Sequence, residues 1–254
     1  MNISQFDLTD RAAIVTGGGQ GIGKAICLAL AQAGSDVVVV DIDDDKAEVT
    51  AREAEELGRK SFAIRTDVCN RMQIETMVRQ TLDKFGKIDI LVNNAGGPKH
   101  SVPVMEMSET DWDEVIGVNL KSVFLCSQVV AKSMMKRKKG NIINIASISA
   151  FVAYPLCAPY GASKAGVVNL TQTMANILGP HNIRVNAVAP GSISTESRTA
   201  FFALHPELEH FSPEMVPLRR LGTPQDVAWV VVFLASDASA YVNGQVITID
   251  GGPR

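Results

Sequence analysis

The chain has 254 residues, 46% of them hydrophobic, and a formal net charge of -3. That length and apolar content fit one large α/β domain, residues 1–254, whose core needs neither disulfides nor a structural metal. The charge excludes the basic footprint of a nucleic-acid-binding protein, and the run Lys136-Arg137-Lys138-Lys139 reads as a solvated helix end before Gly140.

Cys27, Cys69, Cys126 and Cys157 are scattered, with no CxxC pair or Cys/His cluster, so no metal is expected. Such thiols suit a reducing compartment. Met1 to Arg11 is polar and unlike a signal peptide, and the apolar runs are too short to span a bilayer. A soluble cytoplasmic protein with no nucleic-acid or membrane partner is expected.

Along the chain, short β-branched runs alternate with amphipathic stretches, the pattern of a parallel sheet covered by helices on both faces. Strands are predicted over 12–16, 36–41, 61–66, 88–93, 140–147, 183–189 and 245–250. Helices are predicted to begin near Gln20, Asp44, Asn70, Ser108, Pro159 and Thr223. Val37-Val38-Val39-Val40 is the clearest strand, an unbroken apolar run suited to burial on both faces. The segment 191–217, rich in Ser, Thr, Phe, His and Pro, breaks the alternation and is expected to be a lid over a site.

The first strand runs into Thr16-Gly17-Gly18-Gly19-Gln20-Gly21-Ile22-Gly23 and then a helix. Glycines let backbone N–H groups close on a pyrophosphate at a helix N-terminus. Strand before, helix after and Asp41 at the end of the second strand strengthen this reading. An acid there accepts both adenosine ribose hydroxyls and repels a 2′-phosphate, and Ile42 is not the arginine such a phosphate needs. NAD is therefore expected over NADP. Asp67-Val68 and Asn93-Asn94-Ala95-Gly96 close the third and fourth strands, at the edge where open α/β sheets bind ligands.

Tyr160 and Lys164, at i and i+4, share a helix face downstream of a strand ending at Ser147. An adjacent ammonium is expected to lower the phenol's pKa, so that Tyr160 exchanges a proton with a carbonyl or alcohol oxygen while hydride moves at carbon. Ser147 is placed to hold that oxygen, so Ser147 and Tyr160 are the expected substrate contacts. Asn119 lies inside a long helical pattern, either as a kink or buried amide bonded to backbone, or as the holder of a water that links Lys164 to solvent.

These residues, with Pro190-Gly191 and Asp250-Gly251-Gly252, resemble the short-chain dehydrogenase/reductase family over nearly the whole chain. The resemblance implies a Rossmann-type doubly wound α/β fold with a seven-stranded parallel sheet and helices on both faces. It implies a catalytic tetrad of Asn119, Ser147, Tyr160 and Lys164, with Lys164 also on the nicotinamide ribose. It implies an NAD site drawn from Gly17, Gln20, Gly21, Ile22, Gly23, Asp41, Ile42, Asp67, Val68, Asn94, Ala95, Gly96, Tyr160, Lys164, Pro190 and Gly191, with Ile193 and Thr195 holding the carboxamide. A homotetramer is implied as well. Ala150, where many relatives have glycine, and Gly97-Pro98-Lys99-His100 depart from the family pattern.

The expected activity is hydride transfer between NAD(H) and a small-molecule secondary alcohol or ketone. Apolar residues of the lid (Phe201, Phe202, Leu204, His205, Leu208, Phe211) and of the facing wall (Phe151, Tyr154, Leu156, His100) favour a cyclic or hydroxysteroid-like skeleton, with polyols left open. A 3-oxoacyl-[acyl-carrier-protein] reductase is the alternative, set against Asp41-Ile42 and the lack of a basic patch for an acidic carrier. A nucleotide-sensing scaffold is the non-enzyme alternative, opposed by the intact Ser147, Tyr160 and Lys164.

Overall fold

The computed structural model describes residues 4–204 and 213–252. Seven strands, β1 (Ala12–Thr16), β2 (Asp36–Asp41), β3 (Ser61–Arg65), β4 (Ile90–Asn93), β5 (Gly140–Ile145), β6 (Ile183–Pro190) and β7 (Val246–Ile249), form one sheet. Every pair is parallel, in the order β3-β2-β1-β4-β5-β6-β7. The order reverses between β1 and β4, which opens a crevice at their carboxyl ends. The helices are α1 (Gly21–Gln32), α2 (Asp44–Glu56), α3 (Arg71–Phe85), α4 (Glu109–Ile116), α5 (Ser122–Arg137), α6 (Ala158–Leu178), α7 (Glu196–Leu204) and α8 (Pro224–Ala235).

Side-chain alternation sorts the core into two layers. Ala13, Val15, Val37, Val39 and Val92 pack with the apolar sides of α1, α2 and α8. Ile14, Val38, Val40, Leu91 and Ile142 pack on the opposite face with α3 and α5. Val37 to Val40 are fully buried, so the unbroken apolar run has a partner layer on both sides. Each such aliphatic side chain contributes about 1.5–3 kcal/mol by leaving water. Caps fix where the helices start. Asn70 Oδ1 accepts from Met72 and Gln73 N–H, Ser108 Oγ accepts from Asp111 N–H, and Thr223 and Asp226 form a reciprocal capping box.

Predicted strand ends shift where side chains take over the backbone's partners. β5 stops at Ile145 because Ser147 turns to accept from Ser149 N–H at 3.1 Å and caps a 3-10 turn over Ile148–Ala150. The expected long connection 191–217 contains a helix, α7, whose first turn is fixed by Arg198 N–H donating to Thr195 Oγ1 at 3.2 Å. Its Ser- and Thr-rich opening obscured that helix in the sequence. His205, Leu208 and Phe211 lie outside the described residues, as do the side chains of Phe201, Phe202 and Leu204.

α4 runs through a π-helical turn, Gly117–Lys121, into α5. By length and composition, Glu109–Arg137 is apolar enough to cross a membrane, but 56% of its apolar window is buried in this fold. Val123, Val130 and Met134 on it are core residues packed under the sheet.

Candidate active site

The loops after β1 and β4 are laced together beneath the crevice. Thr16 Oγ1 accepts from the backbone N–H groups of Asn94 and Ala95 at 3.0 and 3.1 Å. Asn94 Nδ2 donates to the carbonyls of Thr16 and Gly17 at 3.0 and 2.9 Å. Asn94, expected on the cofactor, thus spends its amide holding the glycine loop open. Gly23 admits no side chain, since a Cβ there would overlap the Gly17 carbonyl and lie 2.5 Å from Asn94 Nδ2. Gly96, at φ +138°, is equally obligatory, because a Cβ would overlap Asn119 Oδ1.

Asp41 stands at the carboxyl end of β2 with one carboxylate oxygen accepting from Gly19 N–H at 2.9 Å and the other from Asp43 N–H at 3.1 Å. It therefore shapes the glycine loop as well as facing the cleft, and each oxygen keeps a second lone pair for a ribose hydroxyl. Ile42 beside it is 64% exposed, an open apolar platform rather than a cation. Asp67 accepts from Cys69 N–H at 2.8 Å in a tight turn that leaves Val68 nearly buried next to the cleft.

At the other end, α6 carries Tyr160 and Lys164 beside the turn that follows β5. Lys164 is 3% exposed, and its Nζ donates to the Ile145 carbonyl at 2.8 Å while lying 5.5 Å from the Tyr160 ring centroid. Burial lowers its ammonium to about 8. Burial also pushes the Tyr160 phenol up to about 12, and the Ser147 hydroxyl in reach of it pulls the other way. Desolvation thus raises the phenol where the Tyr160–Lys164 spacing predicts a lowering, and Tyr160 is a neutral acid.

Asn119 is fully buried, with Oδ1 accepting from Gly97 N–H at 3.0 Å. Its Nδ2 donates to the Gly97 and Val115 carbonyls at 2.9 and 3.0 Å. This is the kinked, backbone-bonded amide, and it explains the π-helical turn: the side chain takes the Val115 carbonyl and clips the chain after Asn93-Asn94-Ala95-Gly96 onto the helix.

One cleft of about 1330 Å³ joins both ends. Every predicted cofactor residue lines it, as do Ser147, Tyr160 and Lys164, whereas Asn119 stands behind its wall. Tyr154 and Leu156 line the substrate end as expected; Phe151 is 57% exposed and not part of the lining. His100 is engaged at the rim, 3.3 Å from Glu114 and 3.5 Å from Asp111. Sequence reasoning missed Ser149 and Arg198 in the lining, because nothing in their local pattern distinguishes them from turn and helix residues. The cleft exceeds the roughly 300–1,000 Å³ of a single small-molecule pocket, so a dinucleotide and a substrate fit together. A glycine turn that excludes side chains, a helix N-terminus and a carboxylate at the second strand suit a dinucleotide.

A parallel sheet with such a crevice and a Ser-Tyr-Lys cluster at one end defines a dinucleotide-dependent oxidoreductase fold. The family described as Enoyl-(Acyl carrier protein) reductase matches residues 17–253. The chain is 43% identical over 245 residues to a 3-oxoacyl-[acyl-carrier-protein] reductase of Thermotoga maritima, covering 96% of this chain and 98% of that one. It is 42% identical over 244 residues to one of Staphylococcus epidermidis, covering 96% and 98%. Its fold matches a 7α-hydroxysteroid dehydrogenase complexed with NADH and 7-oxo glycochenodeoxycholic acid at TM-score 0.93 and 39% identity, covering 99% of this chain and 97% of that one. The chain belongs to the short-chain dehydrogenase/reductase family, oxidoreductases that act on CH–OH groups or their ketones with a nicotinamide cofactor.

Proposed function

We propose that the chain reduces a ketone of the 3-oxoacyl thioester class to its secondary alcohol with NADH, residues 1–254 working as one dinucleotide-binding and catalytic unit. The observation that carries the chemistry is the buried Tyr160 phenol in the cleft, with the Ser147 hydroxyl in reach of it and Lys164 Nζ 5.5 Å from its ring centroid. Bound in the cleft, the reduced nicotinamide supplies the hydride to the carbonyl carbon. Tyr160 gives its phenol proton to the carbonyl oxygen, and the Ser147 hydroxyl donates a hydrogen bond to the same oxygen. Lys164, charged below about pH 8, stands beside the phenolate that remains and stabilises it. Asn119 fixes the loop on which the nicotinamide end rests.

The preference for NADH is supported by Asp41, whose carboxylate repels a 2′-phosphate, and by the apolar Ile42. The substrate class is supported by the names of the relatives at 42–43% identity. Asp41 and Ile42 bear on the cofactor, not on the ketone, so they do not weigh against a 3-oxoacyl substrate used with NADH. A secondary alcohol or ketone on a cyclic, hydroxysteroid-like skeleton is the second reading, favoured by the 39% identical structure that holds NADH and a 7-oxo bile acid. A homotetramer rests on the family resemblance. Cytoplasmic location is supported by the scattered free thiols.

Oxidation of NADH and of NADPH is followed with an acetoacetyl thioester, with 7-oxo bile acids and with cyclic ketones. The proposal expects the thioester to be turned over fastest, with NADH. Faster turnover of a cyclic ketone establishes the second reading, and a preference for NADPH overturns the role given to Asp41.

A further inference from the structure

The glycine loop after β1 offers a pyrophosphate backbone N–H groups and the dipole of α1, but no cationic side chain. The first cation after it, Lys24, points away, its Nζ 2.6 Å from Glu53 on α2. Of the three cations that line the cleft among the described residues, Lys99 is tied to Glu114 at 3.3 Å, and Lys164 lies at the Tyr160 end with Nζ on the Ile145 carbonyl. The third is Arg198.

The position of Arg198 follows from how α7 begins. A methyl placed on Gly21 would lie 3.6 Å from Thr195 Cγ2, so the start of α7 is set directly over the start of α1. The starts of two helices thus lie side by side in the cleft lining, and a helix N-terminus favours a phosphate. Arg198 sits in the first turn of α7, its N–H on Thr195 Oγ1 at 3.2 Å, and lines that cleft. A guanidinium there can pair bidentately with phosphate oxygens.

We propose that Arg198 is a cofactor-binding residue that pairs with the pyrophosphate of the dinucleotide, supplying the side-chain cation that the glycine loop lacks. The proposal deepens the nicotinamide reading given above and rests on it.

The test measures dissociation constants of the full chain and of Arg198→Gln and Arg198→Lys. NADH is read by its fluorescence, with ADP-ribose and adenosine as competitors. Arg198→Gln is expected to weaken NADH and ADP-ribose about tenfold and to leave adenosine, which has no phosphate, unchanged. Arg198→Lys is expected to recover part of the loss, since it keeps the charge without the planar fork. The melting temperatures of the variants are expected to match the unaltered chain. An unchanged ADP-ribose constant in Arg198→Gln overturns the proposal. If that result comes with a raised KM for an anionic thioester, the arginine reads substrate instead. If the unaltered chain binds neither NADH, NADPH nor ADP-ribose, the dinucleotide reading falls first and takes this one with it.

Discussion

Lys164 is needed charged but sits where charge is costly, and this makes Lys164→Met a sharp test of the site. Burial lowers its ammonium from an ordinary 10.5 to about 8, with desolvation as the cause. At about 1.4 kcal/mol per unit, that difference means the folded state carries roughly 3 kcal/mol of uncompensated cost while the group is charged. Below pH 8 both states hold the proton and the whole cost is present. Between about 8 and 10.5 the unfolded chain holds more protons than the folded one, so stability rises with pH and the cost is relieved.

Methionine fills similar space without charge. It forfeits the hydrogen bond to the Ile145 carbonyl, a loss of about 1 kcal/mol. A net gain of about 2 kcal/mol at pH 7 remains, which for a chain of this size raises the melting temperature by roughly 4–8 °C. Scanning calorimetry at pH 7 and pH 10 reads both parts: the variant leads at pH 7, and the lead shrinks or reverses by pH 10. Turnover is expected to fall by at least about 10²-fold in the same variant. A variant less stable than the unaltered chain at pH 7, or a difference that does not move with pH, refutes the argument that desolvation dominates at Lys164.

Tyr160→Phe keeps the ring and removes the acid, so turnover should fall about 10²–10⁴-fold while NADH fluorescence titration gives an unchanged dissociation constant. Asp41→Ser with Ile42→Arg should move the ratio of kcat/KM for NADH and NADPH toward NADPH. It should also lower stability by about 1–3 kcal/mol, because Gly19 and Asp43 N–H lose a carboxylate acceptor. Gly96→Ala forces a Cβ against Asn119 Oδ1 at a φ of +138° and should lower the melting temperature by several degrees, corresponding to about 1–3 kcal/mol of strain. At the far edge of the sheet, Asp89 is 5% exposed, accepts from Ala12 N–H at 3.0 Å and pairs with Arg137 at 2.6 Å. Asp89→Ala should destabilise by about 1–3 kcal/mol in urea unfolding, with kcat unaffected in the folded fraction.

What could be read from the sequence was whatever depends on short-range pattern. The valines of β2, the cap at Asn70 and the glycine turn each carry their structural reason within a few residues, so the strands, helix starts and cleft lining came out close to their places. α7 was missed because its start depends on one contact, Thr195 Oγ1 with Arg198 N–H, inside a polar stretch that reads as loop. The elevated phenol of Tyr160 was missed for a different reason. Proximity of Tyr160 to Lys164 follows from i, i+4 spacing, but the desolvation that raises the phenol depends on how β5, α6 and the following turn close around both groups. Spacing specifies neighbours; it does not specify how much water they keep.

The same distinction bears on Asp41 and Asn94, which pattern assigns to the ligand, and on Asn119, for which pattern leaves a backbone-bonded amide and a water holder both open. Each is committed to backbone: Asp41 to Gly19 and Asp43, Asn94 to Thr16 and Gly17, Asn119 to Gly97 and Val115. The crevice of a parallel sheet is lined by strand ends with unsatisfied N–H and C=O groups, and short polar side chains are what satisfy them. Their effect on the dinucleotide is then partly indirect, through the shape of loops whose glycines leave no room for error. Asn119 acts wholly this way, since it does not reach the cleft, whereas Asp41 does both. A substitution at Asp41 therefore cannot change cofactor preference without also loosening the glycine loop. Double substitutions that restore an acceptor for Gly19 N–H should recover NADPH turnover that charge reversal alone does not.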